Sequence, residues 1–346
     1  MKKTLIYIIP AKTHIGMHIK CTGQIKGFSS FFKVKSLFLK TPKKNNLVLK
    51  IIFYLQFELR AWLLLLRYKQ FYIRYNPKCI FLNYVCCLLS PWKTILFEHN
   101  IIYENELALL KQNYANFYHL NFLKILKNFP IKHICVTNEI EQNLISHHIS
   151  KHLIEVIQNG YLKPVSKEKN NISVIQKALA YTTRFHKTGI FVGYDFPWHN
   201  VSEIIQLCLK YKLGLILVGP QKKNYPQKNI LVLNKQNYAT ISEIYKHIDF
   251  AFGTFGFNKT NIKQGCPLKT REYICHGIPI ITKNYVDSLE KIPKLNHAIC
   301  NITTNENDLL PFLKQSFQKS EIKNIAQKEL DWKHLLQKTH KWYTLS

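Results

Sequence analysis

The residues with the most chemistry in this chain stand in two short stretches. The first runs Pro267-Leu268-Lys269-Thr270-Arg271-Glu272-Tyr273-Ile274-Cys275-His276-Gly277-Ile278-Pro279-Ile280-Ile281. Pro267 suits the opening of a helix, Gly277 suits the left-handed position that ends one, Pro279 prevents continuation, and Ile280-Ile281 begins a buried strand. Lys269, Thr270, Arg271 and Glu272 crowd the first turns. There the free backbone N–H groups and the helix dipole favour an anion. The second stretch is Glu98-His99-Asn100, directly after the strand-like Thr94-Ile95-Leu96-Phe97. A carboxylate and an imidazole at the C-terminal edge of a strand can position a hydroxyl or take its proton. Each stretch also has a plainer reading. The first would be an ordinary helix–strand junction with a solvated charged face. The second would be a capping and loop cluster, with Glu104 and Glu106 stabilising the start of the next helix.

These groups need a scaffold, and the hydrophobic pattern supplies one. Strands are expected at Leu5–Ile9, Phe71–Arg74, Thr94–Glu98, His133–Thr137 and Ile154–Ile157, with helices between them. The segment Lys33–Asn46 reads as a loop or a weak edge strand. A second run has strands at Gly189–Val192, Leu215–Gly219, Ile230–Leu233 and Phe250–Gly253, again alternating with helices. This alternation predicts an α/β protein with parallel sheets. Two Rossmann-like domains facing a cleft are expected, at 1–165 and 185–325. The polar, lysine-rich Tyr161–Lys177 fits the connection, or a loop with a short helix. Ile322, Ile325, Leu330, Trp332, Leu335 and Leu336 give the tail a helical apolar face. Its last part, 326–346, is expected to dock on the first domain. Gly16 follows the first strand, where such sheets place ligand contacts, though a turn glycine is the stronger reading. No G-x-G-x-x-G fingerprint is present.

Pro267, Leu268, Lys269, Glu272, Tyr273, Gly277, Pro279 and Ile281 resemble the donor-binding motif of retaining GT-B glycosyltransferases of the family-four type (glycosyl transferases group 1). Tyr72-Ile73-Arg74-Tyr75, Val136-Thr137-Asn138-Glu139 and Val156-Ile157-Gln158-Asn159-Gly160 resemble further segments of that family. The resemblance implies a GT-B fold whose last helix crosses back to the N-terminal domain. It implies transfer of a sugar from a nucleotide-sugar donor to a surface-glycan or lipid-linked acceptor. Glu272 would hold the ribose, and Lys269, Thr270 and Arg271 would lie near the diphosphate. Gly193, Gly253 and Gly256 would bring backbone close to the donor, Gln264 would contact the sugar, and Glu98 and His99 would face the acceptor.

The chain departs from that family in two places. The family pattern G-R-x-x-x-x-K-G is replaced by Gly193-Tyr194-Asp195-Phe196-Pro197-Trp198-His199-Asn200, so both cations are missing. His199 is a poor substitute, because a neutral imidazole neutralises phosphate less well than lysine. Lys263, Lys269 and Arg271 are the expected replacements. The family's first glutamate is replaced by Gln264, which can hydrogen-bond a hydroxyl but carries no charge. With no D-x-D sequence, neither a metal nor another cofactor is expected.

The formal net charge of +29 points to anionic partners. The lysines are spread along the chain rather than gathered into one basic, aromatic run, so nucleic acid is not expected and an anionic membrane surface is. The stretch Leu47–Leu66 is interrupted by Lys50, Glu58 and Arg60, which makes a buried or surface-lying helix the better reading than a spanning one. Nine cysteines without a C-x-x-C pair read as reduced, buried side chains. The expected location is cytoplasmic, peripheral to the inner membrane face. The alternatives are a catalytically weak GT-B scaffold and a polyanion-binding protein.

Overall fold

A computed structural model describes residues 2–10, 15–40, 42, 46–109, 111–164, 168–219, 225, 227–303 and 305–344. The chain divides into two compact units, residues 1–160 with 331–346, and residues 161–330.

The first unit carries β1 (Thr4–Ile9), α1 (Ile15–Ser29), β2 (Lys33–Phe38), α2 (Leu47–Arg67), β3 (Gln70–Arg74), α3 (Ile80–Leu89), β4 (Thr94–His99), α4 (Tyr103–Leu109), α5 (Asn113–Leu126), β5 (Lys132–Cys135), α6 (Asn138–Ser146) and β6 (Ile154–Val156). Its strands form one six-stranded parallel sheet in the order β2-β1-β3-β4-β5-β6. Leu5 through Ile9 are all fully buried, as a central parallel strand covered on both faces requires. β2 is the edge, and its largely exposed, lysine-bearing pattern explains why its sequence reads so weakly as strand. Asn46 starts α2 by accepting hydrogen bonds from the Val48 and Leu49 amides at 2.8 and 3.3 Å.

The second unit carries α7 (Ile172–Thr182), β7 (Thr188–Val192), α8 (Val201–Lys210), β8 (Gly214–Val218), β9 (Ile230–Leu233), α9 (Tyr238–Tyr245), β10 (Phe250–Phe252), β11 (Gln264–Gly265), α10 (Leu268–Cys275), β12 (Ile280–Thr282), β13 (Val286–Asp287), β14 (Ile299–Asn301), α11 (Leu309–Lys314) and α12 (Lys319–Glu329). Its main sheet, also six-stranded and parallel, has the order β14-β12-β10-β7-β8-β9, and β11 pairs with β13 in a separate short ribbon. The connections run outward in both directions from β7. The strand order therefore reverses between β7 and β10, the position at which open α/β sheets take their ligands. In the first unit the reversal lies between β1 and β3.

Three local readings change. The segment expected to be a connection contains α7, a full helix capped by Asn171, whose side chain accepts from the Val174 amide. Gly16 lies in the first turn of α1, not in a preceding loop. The tail is two helices rather than one continuous face. α12 puts Ile322 and Leu330 into the core of the second unit. After a break at Asp331, α13 (Trp332–Thr344) buries Trp332, Leu336 and Tyr343 in the first unit. Tyr343 donates its hydroxyl to the Phe71 carbonyl at 2.8 Å.

α10 stops where the sequence says it should. His276 is its C-cap, and Gly277 follows with φ +78°. A Cβ on Gly277 would come within 2.1 Å of the Lys319 carbonyl oxygen. Gly277→Ala therefore combines a left-handed strain with a backbone clash. It should lower the unfolding free energy by about 2 kcal/mol or more, read by urea denaturation.

Candidate functional site

The strand reversal in the second unit brings four of the expected residues together. Gly193 leaves β7 with φ +155°, and Gly219 leaves β8 with φ +126°. A Cβ on Gly219 would lie 2.5 Å from the Gly193 carbonyl oxygen, and one on Gly193 would lie 2.9 Å from Lys269 Nζ. Gly219 is thus required by close approach to backbone, whereas at Gly193 the near atom is the movable end of a lysine and the positive φ is what disfavours a side chain. Lys269 sits in the first turn of α10, its Nζ 3.8 Å from the centroid of the Phe191 ring. The ammonium is shielded from solvent and has no hydrogen-bond partner among the described residues. Burial pushes its pKa well below the usual lysine value, and the Glu272 charge offsets only part of that.

Glu272 is one helical turn on, where its Oε1 accepts a 2.9 Å hydrogen bond from the Tyr245 hydroxyl. Burial raises its pKa to about 7, against the opposing effects of that hydrogen bond and of Lys269. His199 closes the group. Its ring packs edge-on against Phe191 at 5.3 Å, and Nδ1 pairs with the Tyr194 carbonyl oxygen. Burial, and then the Lys269 charge, lower its pKa to about 2, so the imidazole is neutral at physiological pH.

Arg271 and Thr270 point elsewhere. The Arg271 guanidinium, expected beside the diphosphate, is fully buried and pairs with Asp287 at 2.5 Å. Thr270 Oγ1 donates to the other Asp287 oxygen at 2.9 Å and accepts from Arg271 at 2.8 Å. Tyr285 donates to Asp287 as well, at 3.2 Å. The cluster ties α10 to β13. Successive helical residues are about 100° apart, so Lys269 and Arg271 cannot share a direction.

The glycine loop also differs from expectation. The Gly253 amide donates to the Ile281 carbonyl, Phe255 to that of His199, and Gly256 to that of Trp198. These three amides are engaged within the fold instead of facing a ligand. Gln264 lies half-buried in the β11–β13 ribbon, and the neighbouring Lys263 is exposed.

In the first unit, Glu98 and His99 are separated by the strand itself, because adjacent strand residues face opposite sides of a sheet. Glu98 turns toward α1, 2.7 Å from Lys20 Nζ, and accepts from Gln24 at 2.8 Å. Arg74 is its register partner on β3, with a buried Nη1 that bonds to nothing described. Burial raises the Glu98 pKa, but Lys20 and Arg74 outweigh it, and the net shift is downward. His99 turns the other way, 2% exposed, with Nε2 at 3.0 Å from His133 Nδ1 and its ring against Tyr75. Burial holds it neutral, and its ring is enclosed by His133 and Tyr75. Glu104 is held by His147 at 2.9 Å and His119 at 3.5 Å, and the side chain of Glu106 lies outside the described residues. Among the described residues, no group of three or more His, Cys, Asp or Glu side chains could hold a metal ion.

Asp287, Tyr245, Lys20 and Gln24 were not singled out in the sequence. None belongs to a short pattern, and each acquires its partner only through tertiary packing. Arg74 stands inside the Tyr72–Tyr75 segment, whose spacing alone gives it no role.

Two Rossmann-like units, each a parallel sheet wrapped by helices, define the GT-B class of fold, and solved structures of that class match along the whole chain. HepE from Anabaena, solved with UDP-glucose, superposes with a TM-score of 0.64 at 13% identity, over 99% of this chain and 100% of that one. Sucrose-phosphate synthase from Thermosynechococcus elongatus gives 0.67 at 11% identity, over 99% of both chains. WaaG, a glycosyltransferase involved in lipopolysaccharide biosynthesis, gives 0.55 at 11% identity, over 98% of this chain and 93% of that one. At these identities the likeness establishes the fold. No family model and no curated sequence matches the chain.

Two predictions follow from the buried charges. Burial lifts the Glu272 pKa to about 7 in the folded state from the ordinary carboxylate value of 4.5, so the folded state binds the extra proton between those values. Its contribution to stability is present below pH 4.5 and is lost as pH rises through 7. Glu272→Gln should flatten that slope and raise the melting temperature above pH 7, read by thermal melts across the range. Arg271→Ala leaves Asp287 buried without its cation and should cost about 3–5 kcal/mol in urea denaturation.

Proposed function

We propose that this chain is a glycosyltransferase of the hexosyltransferase kind, moving a sugar from a nucleotide-sugar donor to a surface-glycan or lipid-linked acceptor. The reaction is read as retaining and metal-independent, at the cytoplasmic face of a membrane. The observation that carries the reading is the Lys269 ammonium. Its Nζ is shielded from solvent, has no hydrogen-bond partner among the described residues, and lies close to Gly193 at the strand reversal of the second unit. A desolvated ammonium that the Glu272 charge offsets only in part is costly, and a bound diphosphate supplies a stronger counter-ion. The fold supports the reading, since HepE binds UDP-glucose. WaaG, which acts in lipopolysaccharide biosynthesis, supports a surface-glycan acceptor.

In this reading Lys269 meets the diphosphate and the α10 N-terminus adds backbone donors. Glu272 accepts from the ribose hydroxyls, and the fixed positive charge stabilises the departing nucleoside diphosphate. Arg271 acts through α10, by fixing the helix that carries Lys269 and Glu272. One observation favours a second reading, a donor-binding scaffold with little turnover. The two family cations are absent, and the residue at one of their positions, His199, is held neutral.

Calorimetry and thermal shift against a panel of nucleotide sugars, with a radiolabelled transfer assay, separate the two. The donor that raises the melting temperature of the wild type should bind Lys269→Ala about 10- to 100-fold more weakly. Equal affinity in the variant would remove Lys269 from the site. Binding without transfer to any glycan or lipid-linked acceptor would favour the scaffold.

A further inference from the structure

α2 is a 21-residue helix with two apolar faces, and only one of them is used by the fold. Phe57, Ala61 and Leu65 are buried in the first unit. On the other side Val48, Ile52, Leu55, Leu59, Leu63 and Leu66 follow one another at spacings of three and four, and all are exposed. Leu55, Leu59, Leu63 and Leu66 keep 57%, 59%, 58% and 69% of their surface open. The stripe is about 30 Å long at the usual rise per residue. α3, which packs against α2, also exposes Phe81 and Leu88, and Trp92 just beyond it is 73% exposed. An exposed apolar stripe of this length on a folded surface marks an interaction face.

The charges around it identify the occupant. Between residues 46 and 97 the only acidic residue is Glu58, and it is buried at 6% exposure. Lys50, Arg60, Arg67, Lys69, Lys78 and Lys93 lie in the same span. Arg60 and Arg67 flank the stripe on its polar edge. An apolar surface with exposed charge of one sign only, and that sign positive, is complementary to an anionic bilayer. A second copy of this chain is a poor fit, because a two-fold contact through this face would set the same cations against each other with no carboxylate between them. A spanning role is also a poor fit, since no described helix is long and apolar enough to cross a membrane and the inner face of α2 is committed to the core.

We propose that α2 lies in the interfacial plane of an anionic membrane. Its outer stripe enters the acyl boundary, Trp62 and Trp92 sit at headgroup level, and Arg60 and Arg67 contact lipid phosphates. This deepens the membrane placement above by naming the surface and the lipid charge, and it requires no step of sugar transfer.

The test is co-sedimentation of the full chain with vesicles of phosphatidylglycerol mixed with phosphatidylcholine, compared with phosphatidylcholine alone, without any sugar donor. Binding should be strong to the anionic vesicles, weak to the neutral ones, and reduced by salt. The double variant Leu55→Glu with Leu59→Glu should bind about tenfold more weakly or worse. Because that variant could fold poorly, quenching by brominated phosphatidylglycerol gives a second reading on a conservative change. Wild-type tryptophan emission should be quenched, and Trp62→Phe with Trp92→Phe should lose most of the quenching while still sedimenting with the vesicles. Absence of binding to anionic vesicles, quenching unchanged in the tryptophan variant, or a stable dimer that Leu55→Glu dissociates would each overturn the proposal. A failure here leaves the transferase reading intact, and an inactive but membrane-bound protein leaves this one intact.

Discussion

A parallel sheet delivers every strand's C-terminal end to the same edge, and most of what is distinctive here follows from that constraint. In the second unit β7 and β10 leave the edge in opposite senses. Their exits cannot pack over one another, and the gap between them is where Gly193 and Lys269 meet. The same rule in the first unit sets Arg74 and Glu98 side by side at the edge, across from Lys20. Charge collects at these edges because strand interiors cannot hold it. Once there, it is only partly neutralised from within the protein.

Three basic residues that the sequence offers near the second unit's strand ends meet different fates. Lys263 is exposed on a ribbon, and Arg271 is spent on Asp287. Lys269 alone is brought to the glycine at the end of β7. Its neighbour Arg271 instead anchors α10 to β13 through the buried pair with Asp287. That pair acts together with the buried Tyr273, Ile274 and Cys275 of the same helix.

Much of the scaffold was legible in the sequence, and the reasons are local. Buried parallel strands such as Leu5–Ile9 and Leu215–Val218 announce themselves as short apolar runs, and Pro267, Gly277 and Pro279 bracket α10 by their backbone preferences alone. The same bracketing puts Lys269 and Glu272 on one helical turn, as α10 has them. What failed was direction. Arg271 carries the right charge at the right place in the chain and points the wrong way. His99 adjoins Glu98 in sequence and lies across the sheet from it. The loop glycines have their amides taken by neighbouring carbonyls. Residue type and spacing say which groups are available, whereas partners such as Asp287, Tyr245 and Lys20 are decided by packing between distant segments.

The break at Asp331 has a consequence for how the chain is made. The second unit is one uninterrupted segment, 161–330, inserted into the first. Trp332, Leu336 and Tyr343 belong to the core of the first unit, so that core stays incomplete on the ribosome until the whole of the second unit has emerged. The later unit has its core within one continuous segment, whereas the earlier one receives the helix that packs on α1 only from the end of the chain.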